Sequence, residues 1–310
     1  MLFKDKVAEH QQVKMIEIKI SQGAKPGHGG ILPGKKVTKE IAEIRGVPVG
    51  KDVISPPAHS AFSTPLELMH FIQQLRELSG GKPIGFKLCL GKRREMIAIC
   101  KAMVQTGITP DYIAVDGGEG GTGAAPLEFS NYLGSPGVEA LIFIHNALVG
   151  FGIRDRIKIL TTGRITSAFG VLKRMALGAD AVYSARAMML ALGCIQALRC
   201  NTNHCPAGVA TQNPGLTDGL VVSDKRRRVY MYHKETVGSA VELLQAMGLM
   251  HSSDLRPWHL MRRISPTEVH HYGELFHYLE AGELLKSPPP EAYARAMKAA
   301  TADSFRHVTI

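Results

Sequence analysis

Ile84–Leu90 reads IGFKLCL, apolar throughout except for Lys87. A strand that is apolar on both faces belongs in a parallel sheet covered by helices. The flanking sequence supplies them. Upstream, Thr64-Pro65-Leu66-Glu67 combines a capping Thr, a proline in the first turn and a Glu three residues on, opening a helix that Gly80-Gly81 stops. Downstream come a helix over Arg94–Gln105, a strand at Tyr112–Val115, a helix over Val138–Phe151, a strand at Lys158–Leu160, a helix over Ala168–Leu177 and a strand at Ala181–Tyr183. Val13–Ile20, which alternates apolar and charged residues, supplies an earlier strand, and Lys39–Arg45 a short helix. This alternation predicts an α/β fold of the (β/α) barrel type. The loops after strands, Gln22–Gly34, Gly91–Arg93, Asp116–Ala125, Gly163–Ser167 and Ser184–Arg186, then gather at one rim, where such folds keep their active sites.

Beyond Pro206 the pattern changes. Asp224–Met247 is a long amphipathic helix, and His251–Glu283 reads as shorter helical pieces punctuated by Pro257 and Pro266. After Ser287-Pro288-Pro289-Pro290 the Ala-rich tail has little to pack on. The expected organisation is a partial barrel with a cysteine loop over residues 1–212, a helical cover over 213–286 and a polar tail over 287–310.

The 310 residues are 45% hydrophobic and carry a formal charge of +10. No uncharged apolar run is long enough to span a bilayer, so no membrane role is expected. The start, MLFKDKVAEHQQ, lacks an apolar signal core, which predicts a cytoplasmic protein. The densest basic block, Lys225–Arg228, falls inside a helix without interleaved aromatics and reads as a solvated face or subunit contact, not a nucleic-acid site.

Five cysteines suit a reducing compartment, with Cys89 and Cys100 in apolar segments as core. The other three are spaced Cys194-x5-Cys200-x4-Cys205 and followed by Pro206. Buried Cys behaves as a small hydrophobe, but Asn201-Thr202-Asn203-His204 is too polar for a core strand. The spacing therefore points to a metal centre. A three-iron cluster and a zinc site completed by His204 are the two readings. Lys87 is a cation in an apolar strand, which needs an anion or the open rim. It suits stabilisation of negative charge on a reduced isoalloxazine ring. Gly163 with Arg164, and Ser184 with Arg186, follow the last two strands and suit a phosphate. Asp116–Ala125 is so rich in glycine that a flat ring could lie against its backbone.

Taken together, Gln22-Gly-Ala-Lys-Pro-Gly27, Ser55-Pro-Pro57, Phe86-Lys87-Leu88, Asp116–Pro126, and Gly193-Cys194 through Cys200 and Cys205 to Gln212 resemble the FMN-binding synthase domain of glutamate synthase. The resemblance covers about residues 13–270. It implies a (β/α)8 TIM barrel with FMN at the rim and a 3Fe-4S cluster held by Cys194, Cys200 and Cys205. Lys87 would lie against the flavin, with Gln22, Lys25, Asp116, Gly120, Gly121 and Thr122 framing flavin and substrate. Gly163, Arg164, Ser184 and Arg186 would complete the cofactor contacts. The implied reaction condenses ammonia with 2-oxoglutarate and reduces 2-iminoglutarate to L-glutamate. His28 stands where the large synthases carry Glu, so Lys87 and His28 are the expected catalytic positions, and His28 puts the choice of oxo acid in question.

By the same resemblance Val13–Ile20 is the fourth barrel strand, so strands 4–8 are present, strands 1–3 are absent and a helical extension follows. The expected partners are a polypeptide supplying strands 1–3, a glutaminase or electron-donor subunit, and the oxo acid and ammonia themselves. The alternatives are a non-catalytic remnant or assembly subunit, and another FMN-dependent oxidoreductase of the same barrel class.

Overall fold

The computed structural model describes residues 3–25, 27–121 and 125–306. Helix α1 (Phe3–Glu9) and strand β1 (Ile16–Lys19) come first, and a small antiparallel ladder of β2 (Ile31–Leu32) and β3 (Val53–Ile54) brackets α2 (Lys39–Arg45). The repeating part follows as α3 (Pro65–Leu78), β4 (Ile84–Cys89), α4 (Arg93–Thr106), β5 (Tyr112–Asp116), α5 (Gly137–Gly150), β6 (Lys158–Thr161), α6 (Ala168–Ala176) and β7 (Ala181–Val182). Then come α7 (Arg186–Leu192), α8 (Pro214–Thr217), the long α9 (Val222–Ala246), strands β8 (Met261–Ser265) and β9 (Glu268–His271), α10 (Tyr272–Leu275) and α11 (Glu291–Ala299).

The main sheet has the order β1-β4-β5-β6-β7, every pair parallel. Neighbours in space are successive strands of the repeat, and right-handed crossovers then put α3, α4, α5 and α6 on one face. This is the barrel type of α/β fold, with five parallel strands among the described residues. β1 and β7 are its edges.

The register sorts the side chains. Ile16 pairs with Ile84, Ile18 with Phe86, Phe86 with Ile113 and Ile113 with Ile159, so one face is a continuous apolar surface. It packs on Leu68, Met69 and Ile72 of α3, Ile97 and Met103 of α4, and Leu141, Ile144 and Leu148 of α5. Burying each such side chain contributes about 2 kcal/mol. The opposite face aligns Lys19 with Lys87 and Lys87 with Ala114. There the Tyr112 ring covers Gly85, where an added Cβ would meet it at 2.5 Å, and its hydroxyl donates to the Ile16 carbonyl at 2.9 Å. Only glycine at position 85 leaves room for that ring.

Helix α3 is closed by the predicted capping box. The Glu67 amide donates to Thr64 Oγ1 at 3.1 Å, and the Thr64 amide to Glu67 Oε2 at 3.2 Å.

Two expectations for the C-terminal third are corrected. His251–Glu283 is not purely helical, because β8 and β9 form an antiparallel hairpin around Pro266-Thr267. Most of its residues are exposed, so no apolar alternation marks it. The tail after Pro290 does pack: Tyr293 is buried and stacks on Phe143 with ring centroids 5.4 Å apart. Lys101 Nζ donates to the Met297 and Ala300 carbonyls, both at 2.8 Å, and so tethers α11 to α4. Among the described residues no helix is long and apolar enough to cross a membrane.

Candidate functional site

At the C-terminal ends of β4 to β7 lies a cavity of about 320 Å³. Lys87 and Asp116 project into it from the ends of adjacent strands, and Gln22, Gly23 and Lys25 border it from the loop after β1. Gly120 and Gly121, then Gly163, Arg164 and Arg186, line it from the loops after β5, β6 and β7. Its remaining wall carries Cys194, Cys200 and Cys205. Twelve of the residues singled out in the sequence therefore meet at one place.

Asp116 organises the floor. Its Oδ2 lies 3.1 Å from Lys87 Nζ and accepts the Gly23 amide at 2.8 Å. A Cβ on Gly23 would approach Asp116 Oδ1 to 2.6 Å, and one on Gly120 to 2.5 Å. Both glycines are thus dictated by how tightly two loops close on this carboxylate. The cost of holding Lys87 in an apolar strand is met by this ion pair.

Glu119, whose role the sequence reading missed, ties three segments together. Its carboxylate accepts the Gly137 amide at the start of α5, at 2.9 Å from Oε2, and faces Arg174 of α6 at 3.4 Å. A carboxylate at a helix N-terminus is favoured by the helix dipole. Burial pulls the Arg174 guanidinium below its ordinary range, and the Glu119 charge opposes that pull. Arg174 also reaches the Gly163 carbonyl at 3.3 Å. Arg164 Nε donates to the Glu119 carbonyl at 3.1 Å, and Arg186 Nη2 to the Gly121 carbonyl. Both arginines brace the glycine-rich loop as well as lining the cavity.

The cysteine loop is anchored by another residue that sequence reasoning missed. Lys36 Nζ donates to the Cys200 carbonyl and, at 2.7 Å, to the Ala210 carbonyl. Burial alone would raise the Cys205 thiol, but the amides of Ala210, Ala207 and Val209 and the Lys36 charge outweigh it and lower its pKa. Three half-buried free thiols on one wall, one of them held toward thiolate, are a donor set that fits an iron–sulfur cluster. Among the described residues no three His, Cys, Asp or Glu side chains could hold a single metal ion. His204, the fourth ligand of the zinc reading, is exposed.

Two expected residues do not line this cavity. His28 is exposed, with its ring edge-on to Phe129 at 5.3 Å and Nδ1 2.7 Å from the Gly29 carbonyl. The Ser184 hydroxyl is taken up by the Ile165 carbonyl at 2.9 Å, so Tyr183 and Ala185 border the cavity beside it instead. Thr122 lies outside the described residues. Thr162 of the phosphate loop also lines the cavity, as does the stretch Ile195–Arg199, which carried no sequence signal.

Residues 7–250 match the model of the conserved region in glutamate synthase. The chain belongs to the glutamate synthase family. It is 38% identical over 266 residues to the glutamate synthase large subunit-like protein YerD of Bacillus subtilis, covering 86% of this chain and 50% of that protein. It is 40% identical over 242 residues to the archaeal glutamate synthase [NADPH] of Methanocaldococcus jannaschii, covering 78% of this chain and 47% of that protein. Its identity to the chloroplastic ferredoxin-dependent glutamate synthase of Oryza sativa is 37% over 215 residues, 67% of this chain and 13% of that one. The chain spans about half the length of the prokaryotic relatives it matches.

Proposed function

We propose that this glutamate synthase family chain is the part of a glutamate synthase-like oxidoreductase that holds the flavin and the cluster. Completed by the rest of its barrel, that enzyme carries out reductive amination of 2-oxoglutarate to L-glutamate. The observation that carries this reading is the convergence of Lys87, the Gly120–Gly121 turn and the three cysteines on one cavity. FMN, when bound, supplies the hydride, and a 3Fe-4S cluster, when bound, supplies single electrons.

The residues of the chain bind, orient and balance charge. Lys87, fixed by Asp116, would offer a cation to the negative charge of a reduced flavin ring. Gly120 and Gly121 let a flat ring approach the backbone, and the guanidinium groups of Arg164 and Arg186 suit a phosphate. Gln22 and Lys25 offer a neutral and a charged donor to the carboxylates of an oxo acid. Cys194, Cys200 and Cys205 would hold the cluster. Ammonia would come from solution or from a glutaminase subunit, and electrons from a separate donor.

Co-expression with the N-terminal half of a prokaryotic relative tests the reading. The complex should purify with a flavin absorption band and bound iron, and Lys87→Met should abolish turnover while leaving the iron in place. A complemented complex that is colourless would sink the proposal. A second reading, an FMN oxidoreductase of the same barrel class acting on another imino or oxo acid, is favoured by His28, and a substrate screen with a chemical reductant separates the two.

A further inference from the structure

A second cavity, of about 680 Å³, lies at the other end of the same strands. Gly178, Ala179 and Asp180 lead into β7 and Arg154 precedes β6, so these residues line the N-terminal rim, away from the cysteines. The outer wall is the segment from Ser252 to Tyr278. That wall is held in place: Asn146, which is buried, donates to the His277 carbonyl at 2.8 Å and accepts the Leu279 amide at 3.2 Å.

The lining has two characters. Met175, Leu177, Leu255, Phe276 and the faces of Trp258 and Tyr278 make an apolar, largely aromatic slot. Its polar groups are mostly donors. The Tyr278 hydroxyl and His271 Nδ1 are buried and have no hydrogen-bond partner among the described residues. Buried polar atoms are normally paired, and a phenol left alone in an apolar wall is costly. Arg256 is exposed, with both of its side-chain hydrogen bonds made through Nη1, to the Ser253 and Leu255 carbonyls. Its Nε and Nη2 bond no described residue. The lone lining carboxylate, Asp180, is already bound by Arg154 at 2.7 Å and Lys158 at 3.5 Å. The Tyr278 hydroxyl and His271 Nδ1 are covered, so what remains uncommitted and accessible is one guanidinium edge and a flat apolar slot.

We propose that this cavity is a binding site for a small organic anion, a carboxylate carried on a flat apolar body, separate from the cavity that gathers Lys87 and the cysteines. The ring of such a ligand lies between Phe276, Trp258 and Met175, and its carboxylate meets the free edge of Arg256. A neutral ligand of the same shape would meet the guanidinium edge with one carbonyl and no charge, a weaker contact.

Trp258 is the only tryptophan in the chain, so its fluorescence reports on this cavity alone. Para-nitrobenzoate, which quenches indole emission, is titrated into the full chain beside para-nitrobenzamide, the neutral isostere. The expected result is saturable quenching by the carboxylate, about tenfold tighter than by the amide, as for one charge-assisted hydrogen bond. Arg256→Gln should remove the preference for the anion and leave affinity for the amide unchanged. Linear, unsaturable quenching overturns the proposal, as do equal affinities for acid and amide, or an Arg256→Gln variant that still prefers the acid. Because Arg256 is exposed, its replacement leaves the fold intact.

Discussion

Lys87 Nζ and Asp116 Oδ2 stand 3.1 Å apart on adjacent parallel strands, two residues apart in register, since Lys87 aligns with Ala114 and Cys89 with Asp116. The carboxylate is almost wholly enclosed and the ammonium is 22% exposed, so neither charge is free to rearrange at low cost. Removing one member strands the other. Asp116→Asn is expected to destabilise the fold by about 2–3 kcal/mol, measured as a shift in the urea midpoint. Adding Lys87→Met to that variant should recover at least half of the loss, because the uncompensated cation is then gone. Simple additivity of the two single changes in a double-mutant cycle would show that the pair does not interact.

Lys36 acts on the cysteine loop by both charge and tether. With its ammonium removed, as in Lys36→Met, the Cys205 thiol titrates at higher pH and less of it is thiolate at neutrality. Alkylation by iodoacetamide in metal-free protein, followed by mass spectrometry, should slow about threefold at Cys205. Cys89 and Cys100 serve as internal controls. Burial pushes the Cys89 thiol up to about 12 and Cys100 higher still, so neither is modified in folded protein. An unchanged Cys205 rate would remove Lys36 from this role.

The repeating half of the chain was readable because its strands are covered on both faces and its helices carry explicit stops. Ile84–Leu90 contains β4 entire, and the Thr64 box, Gly80 and Gly107 mark helix ends by chemistry that acts within a few residues. The site was readable where glycine is demanded by close backbone approach, as at Gly23 and Gly120. Partnerships distant in sequence were not. Nothing near Lys36 announces that it reaches Cys200 and Ala210, and Glu119 pairs with Arg174 across two crossovers. The hairpin β8–β9 stayed hidden because its strands bury almost nothing, and α11 because the partners that hold it, Phe143 and Lys101 among them, lie on helices far away in sequence.

That aromatic stack has a measurable weight. Tyr293 lies nearly parallel to Phe143, at 11°, and is buried where α11 meets α5. Tyr293→Ala removes the ring and leaves a cavity, with an expected loss of about 3–4 kcal/mol. Tyr293→Phe keeps the stack and should cost less than about 1 kcal/mol. Thermal midpoints of the two variants decide it. Equal and small shifts would mean that the tail is not part of the cooperative unit.

His145 makes stability depend on pH in a window set by its surroundings. Burial, reinforced by the adjacent Arg154 charge, holds the imidazole down at about 4 against an ordinary value of 6.5. Arg154 Nε donates to its Nδ1 at 3.2 Å, a bond that needs the neutral ring. Below the ordinary value the unfolded chain takes up a proton that the folded chain refuses, so the stability due to this residue is complete above about pH 6.5 and falls as pH drops toward 4. The loss reaches about 2 kcal/mol near pH 5, and about 3 kcal/mol once the folded form also titrates. Urea unfolding of wild type and His145→Gln, compared across that range, isolates the contribution, since Gln can accept from Arg154 without titrating. The wild-type curve should fall more steeply than that of the variant between pH 6.5 and 4, and should run parallel to it above. Parallel curves throughout would mean that the ring is protonated in the folded protein as readily as in the unfolded one.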